Sequence, residues 1–253
     1  MLRSMDDNAM RAARVALALA LLLSPLAGGR AQAQMDPHQH HHMMAPAPAG
    51  EATPDSAPPA SRPVDHSAHN HDVGPAGSTY DLRFIDGMVQ HHTGALRMSE
   101  FVFNIGQPGV GALGKTIWRD QANEIRAMGL WRKAWYPQAP VYPVALASGG
   151  DQNSLSGLTR MSQAQIDGMR MMGELPTKEN RVVWFLEGML EHHAGALMMA
   201  HDALAKSTNT TIRRFARGVI VAQRAEIIEL RRLLAVEGLR KPEYFKYDAL
   251  FRF

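Results

Sequence analysis

The chain has no cysteine among its 253 residues. Disulfides, thiolate metal sites and lipid attachment through a cysteine are thereby excluded, and any bound metal must be held by His, Met, Asp or Glu. Long apolar runs are also missing, except for one near the start. There, Arg11 and Arg14 precede the run VALALALLLSPLA from Val15, and the triplet Ala31-Gln32-Ala33 follows. A positive flank, a short apolar core and an A-x-A site predict a secretory signal peptide over 1–33, cleaved near Ala33. The run is broken by Pro25 and falls short of the roughly 20 residues a membrane span needs. The mature chain is therefore expected to have no membrane span and to be periplasmic or secreted.

Charge of one sign is lacking as well. The formal net charge is only +3, and the leader carries four arginines against two aspartates, so the rest of the chain is close to neutral. No Lys/Arg stripe alternates with aromatics, which excludes nucleic acid as a partner. Residues 34–78 have little that could form a core. They are rich in Pro, Ala, Gly, Ser and His and cannot bury enough apolar area to offset the entropy of ordering, so a disordered arm is predicted. Its histidines, His38, His40, His41, His42, His66, His69 and His71, suit weak capture of a transition metal.

What is present is a repeat. Residues 84–98 read FIDGMVQHHTGALRM and residues 185–199 read FLEGMLEHHAGALMM, with Phe, Gly, Met, His-His, Gly-Ala-Leu and Met in register. Downstream, IWRDQANEIRAM at 117–128 matches VIVAQRAEIIEL at 219–230, pairing Gln121 with Gln223 and Glu124 with Glu226. The chain is read as a duplicated unit.

Each unit reads as two helices. The first hairpin spans 79–135, with a helix capped by Ser78 or Thr79 that runs to about Asn104 and a second from about Val110 to Trp135. The other spans 177–238, with Thr177 capping a helix to about Ser207 and a last helix from about Thr210 to Glu237. The connection, 136–176, carries a short helix announced by the capping-box pattern Ser162-Gln-Ala-Gln165. Short loops make antiparallel hairpins, and two of them with apolar faces predict an all-α four-helix bundle over 79–238. The aromatic tail, 239–253, is expected to pack over the bundle or a neighbouring subunit, which makes homo-oligomerisation through either surface an open expectation.

Helical spacing puts Phe84, Met88, His91, Ala95 and Met98 on one stripe, and Phe185, Met189, His192, Ala196 and Met199 on its counterpart. His91 and His192 are thus expected to point inward, with His92 and His193 about 100° further round. Met88 and Met189 lie within reach of both histidines of their unit, and the partner helices supply Glu124 and Glu226 from apolar faces. A carboxylate there is costly unless it is paired or binds a metal. The candidate ligands are Met88, His91, His92, Glu124, Met189, His192, His193 and Glu226, with Met98 and Met199 as weaker candidates beside the arm histidines. The competing account has the histidines as core residues bonded to carboxylates and the methionines as gap-filling core.

These residues carry a family resemblance. The patterns F-x-x-x-M-x-x-HH-x-x-AL-x-M and Q-x-x-EI, each occurring twice between about Tyr80 and Gly238 after a signal peptide and a His-rich spacer, resemble the exported bacterial proteins called domain of unknown function 305. The resemblance implies a ferritin-like four-helix fold and, for some members, copper binding and copper tolerance outside the cytoplasm. It implies no agreed enzymatic activity.

Metal identity has a separate argument. Thioether plus imidazole favours copper, whereas His plus Glu alone would also admit zinc or iron. A di-iron site of the ferritin type needs Glu-x-x-His on two helices, but here the residues three before the histidines are Met88, Val89, Met189 and Leu190. The resulting expectation is a copper-binding, non-enzymatic protein for sequestration, tolerance or transfer. Its competitors are a bundle-borne metal oxidase and a metal-free helical interaction protein.

Overall fold

A computed structural model describes residues 71–106, 109–139 and 141–252. The predicted leader and most of the arm, including His38, His40, His41, His42, His66 and His69, lie outside the described residues. The chain is mostly helical. Four long helices, α1 (Tyr80–Glu100), α2 (Val110–Trp135), α4 (Arg181–Lys206) and α5 (Thr210–Val236), are joined by short turns within each pair. A short helix, α3 (Gln163–Arg170), lies in the connection between the pairs.

Side-chain pairs give the directions. Asp86, His92 and Glu100 of α1 bond Arg132, Glu124 and Trp118 of α2, a descending series that makes the two helices antiparallel. Tyr80 bonds Asp202, the His91 ring packs on His192, and the Met98 methyl lies against Gly188, so α1 and α4 are antiparallel as well. Both predicted stripes are buried along their length.

The core is not continuous. One apolar cluster holds Phe84, Met88, Met128, Phe215 and Ile227, and another holds Met98, Ile117, Phe185, Met189 and Leu230. Along both α1 and α4 the histidine pairs fall between the residues of the two clusters. A polar layer therefore crosses the middle of the molecule.

The helix ends differ from expectation in three places, the first being α1, which stops at Glu100 and gives way to turns before Asn104. Thr79 stands at the N-cap position of α1, yet its hydroxyl donates to the Gln152 carbonyl and accepts from Arg83 Nε, so it serves the loop and not the helix. Helix α4 begins four residues after Thr177, behind Asn180, whose side chain instead accepts the Thr177 N–H and closes a turn. The capping box of α3 is formed as read, with Ser162 and Gln165 bonding each other's backbone N–H groups.

Two further features correct the sequence reading, and a third concerns the tail. The connection is not purely α: β1 (Val144–Leu146) pairs antiparallel with β2 (Leu158–Arg160), with Ala145 opposite Thr159. This small sheet is stabilised from α1, where Leu82 packs with Val144 and Leu158 and the Asp86 carboxylate accepts the Val144 N–H while pairing with Arg132. Second, residues 71–78, assigned to the disordered arm, are placed against the helices. The buried Arg83 guanidinium donates to the Val73 and Pro75 carbonyls, and Lys206 bonds Asp72 and Gly74. Arg83, Asp86 and Gln90 thus form a buried polar stripe on the back of α1 that holds chain segments instead of facing solvent. Third, the aromatic tail folds back on its own helices: Tyr244 and Tyr247 donate to Glu187 and Glu191 of α4, and Arg231 pairs with Asp248.

Mid-helix glycines mark the tightest contacts. A Cβ at Gly94 would lie 1.9 Å from the Arg170 carbonyl oxygen, so α3 ends directly against the α1 backbone. Exposed Gly129 in α2 faces open space. Gly129→Ala should therefore raise stability by about 1 kcal/mol through helix propensity. Gly94→Ala should cost about 1–3 kcal/mol through overpacking. Urea denaturation of the two variants checks the opposite signs, and equal effects would contradict the packing of α3 on α1.

Candidate metal centre

The polar layer is built from the repeat. His92 lies 2.6 Å, through Nε2, from Glu124 Oε2, and His193 lies 2.7 Å, through Nε2, from Glu226 Oε2. Each ion-pair-type contact stays within its own helix pair, between α1 and α2 or between α4 and α5. In each, the other ring nitrogen, Nδ1, is buried and has no partner among the described residues. A carboxylate on one ring nitrogen fixes the imidazole's orientation and, by taking the N–H, leaves a lone pair on the other. The glutamates thus pair with the outer histidines, not with His91 and His192. Gln121 and Gln223, one turn before the glutamates, are buried with both amide atoms unpartnered among the described residues.

His91 and His192 meet across the two helix pairs. Their ring centroids are 3.8 Å apart at an interplanar angle of 49°, and both residues are fully buried. His192 donates from Nε2 to the His91 carbonyl at 2.9 Å, which leaves Nδ1 as the lone-pair atom. Neither ring nitrogen of His91 has a partner among the described residues. Burial, reinforced by the neighbouring histidines, lowers the pKa of both rings well below the ordinary histidine range. They are neutral at physiological pH, the state in which imidazole is a ligand.

The space for these rings comes from a glycine. A Cβ at Gly195 would lie 2.3 Å from His71 Nε2 and 2.9 Å from His91 Nε2, so two imidazole nitrogens converge on the spot that glycine leaves free. His71 is half-buried, its ring centroid lies 5.4 Å from that of His91, and its Nε2 is 2.9 Å from Met171 Sδ. Met171 occupies the C-cap of α3 with φ of 50°, the left-handed conformation that turns the chain there.

The eight principal candidates from the sequence thus divide. His91, His92, His192, His193, Glu124 and Glu226 share the polar layer. Met88 and Met189 are fully buried in the two separate apolar clusters on either side of it. Met98 and Met199 also pack: their methyls fill the sites that Gly188 and Gly87 leave open on the opposite helix, a reciprocal exchange that follows the repeat. Among the arm histidines only His71 is described, and it joins the inner histidines. Sequence reasoning missed Met171. Its one signal was its place at the end of a capped amphipathic segment, and nothing local ties that segment to the repeat.

Among the described residues no three His, Asp or Glu side chains form a metal-binding group. The donors that do gather combine imidazole with one thioether, a set suited to soft copper more than to zinc or iron. The unpartnered nitrogens and the cradle over Gly195 fit an ion.

The buried neutral rings have a consequence for stability. The unfolded chain takes up protons near pH 6.5, whereas the folded chain resists them, so stability should fall as pH drops below that value, by up to about 1.4 kcal/mol per pH unit for each ring. The double variant His91→Gln, His192→Gln should have a flatter profile between pH 6.5 and 5. Parallel profiles for metal-free parent and variant in denaturant titrations would contradict buried neutral imidazoles.

The sequence profile described as Domain of unknown function (DUF305) matches residues 81–234. Among solved structures, the chain is similar to CopM in its Cu(I)-bound form, at 25% identity and TM-score 0.46, over 62% of this chain and 96% of that one. It is similar to a DUF305 fragment from Deinococcus radiodurans, at 26% identity and TM-score 0.44, over 65% of this chain and 99% of that one. A DUF305 protein from Streptomyces coelicolor described as secreted matches at 26% identity and TM-score 0.44, over 62% and 91% of the respective chains. A comparison with curated proteins found no match. The profile match spans more than half of the chain and contains both His-His elements with their partner glutamates, and the chain belongs to the DUF305 family.

Proposed function

We propose that this chain is an exported copper-binding protein that sequesters or passes on the ion, with its ordered site in the polar layer between the two helix pairs. In this reading the four long helices form a ferritin-like bundle of two duplicated hairpins over 79–238. A leader at 1–33 directs the chain to the periplasm or outside the cell, and the arm histidines add weak binding. No helix among the described residues is long and apolar enough to cross a membrane.

The observation that carries the proposal is the pair His91 and His192: fully buried, held neutral, in ring contact, and left with unpartnered nitrogens. Buried polar atoms left unsatisfied cost about 1–3 kcal/mol each. A fold that only needed packing would be more stable with apolar side chains there, and an ion supplies the missing partners. His92 with Glu124 and His193 with Glu226 flank the pair with further oriented imidazoles, while Met88 and Met189 are assigned to packing. Complete burial of both inner rings suits retention of an ion and not turnover of a substrate, so the role is binding and not catalysis.

Copper is favoured by the donors. Imidazole accepts both oxidation states, and the thioether of Met171 beside His71 adds preference for Cu(I). The test is elemental analysis of the full chain, exported without an affinity tag from copper-supplemented cells, together with the double variant His91→Gln, His192→Gln. The parent should retain copper through dialysis against a moderate chelator, and the variant should lose it. A metal-free parent, a parent holding zinc or iron in preference, or a variant that retains copper equally would overturn the proposal.

A further inference from the structure

Resting on the reading of His91 and His192 as a copper site, we propose that His71 and Met171 are its entrance: an outer imidazole–thioether pair through which a soft monovalent cation reaches the inner histidines. His91 and His192 are fully buried, and among the described residues in contact with their rings half-buried His71 has access to solvent. His71 Nε2 lies at the cradle over Gly195 that His91 Nε2 also faces, and the same atom meets Met171 Sδ at 2.9 Å. A cation bound first by this pair thus has the inner imidazole within the same cradle. Transfer is ligand exchange, in which a bond to His71 or Met171 breaks as one to His91 forms, with no change of oxidation state.

Both outer ligands are held from outside the repeat. His71 leads a segment anchored by Arg83 on the Val73 and Pro75 carbonyls and by Lys206 on Gly74. Met171 is fixed by the α3 C-cap, whose preceding carbonyl lies against Gly94. The two elements share no part of the duplicated unit, and together they bring an imidazole and a thioether into contact beside His91. A thioether needs no deprotonation and binds Cu(I) or Ag(I) weakly enough to release it to imidazole neighbours, which suits an exchangeable outer ligand.

The test uses the full chain with Cu(I), delivered from and returned to a chromogenic chelator under anaerobic conditions. In Met171→Leu and in the double variant His71→Asn, Met171→Leu, uptake and release should slow by about tenfold or more, the size of effect that removing one coordinating or orienting partner has at metal sites. Bound stoichiometry at equilibrium should match the parent. Unchanged rates would make the pair a packing contact, and loss of the bound ion at equilibrium would make both residues part of the retaining site; either overturns the entrance. A parent that binds no copper would instead overturn the underlying site assignment. A second measurement needs no variant: on methyl-labelled methionines of the parent, a partial equivalent of Ag(I), exchanging between outer and inner donors, should broaden the Met171 resonance and leave Met88 and Met189 sharp. An unbroadened Met171 signal contradicts the proposal.

Discussion

The arrangement depends on one constraint, a polar layer set across the middle of an apolar core. His91 and His192 stack at 3.8 Å where two helix pairs meet, with His92–Glu124 and His193–Glu226 beside them, and the apolar residues divide into a cluster on either side. Burial on this scale keeps the inner imidazoles neutral. The layer fixes register as well, because sliding α1 along α4 by one turn would part the rings and also withdraw the Met98 and Met199 methyls from Gly188 and Gly87. Stability is given up at the centre of the molecule for a set of oriented lone pairs.

The duplication supplies two equivalent halves, and the chain uses them unequally. Gly94 and Gly195 occupy the same position in the repeat, three residues after the inner histidine. The first receives the end of α3, and the second receives the rings of His71 and His91. Symmetry is broken by segments outside the repeat, the entry segment at 71–74 and the connection carrying α3. Both are tied to the buried stripe of Arg83, Asp86 and Gln90 or to its neighbours: Arg170 donates to Gln90, and Arg132 and Val144 meet on Asp86. The second repeat has Trp184, Glu187 and Glu191 at the matching positions, which instead hold α3's exit and the C-terminal tail.

Much of this was legible in the sequence because helix periodicity reports which face is buried. The stripes through His91 and His192, the α2 and α5 boundaries and the capping box at Ser162 all follow from local pattern. What was illegible depended on contacts distant in sequence. Met88 and Met189 have the spacing of ligands, but a stripe position one turn from a histidine also lies one turn deeper in an apolar cluster, and periodicity cannot separate the two. Which histidine meets which glutamate depends on helix rotation, and the pairing fell to His92 and His193. The sheet at 144–160 has strands of three residues, too short to show alternation, and it exists because Asp86 and Leu82 of α1 offer it a surface. His71 read as the end of a solvated arm because composition says nothing of an anchoring arginine twelve residues on.

The central claim is that the inner imidazoles coordinate copper. X-ray absorption at the copper edge, on the full chain loaded with a single equivalent of Cu(I), tests it most directly. The expected spectrum shows imidazole scattering, diminished in His91→Gln, His192→Gln. A spectrum of sulfur alone, or one unchanged in that variant, would contradict the claim.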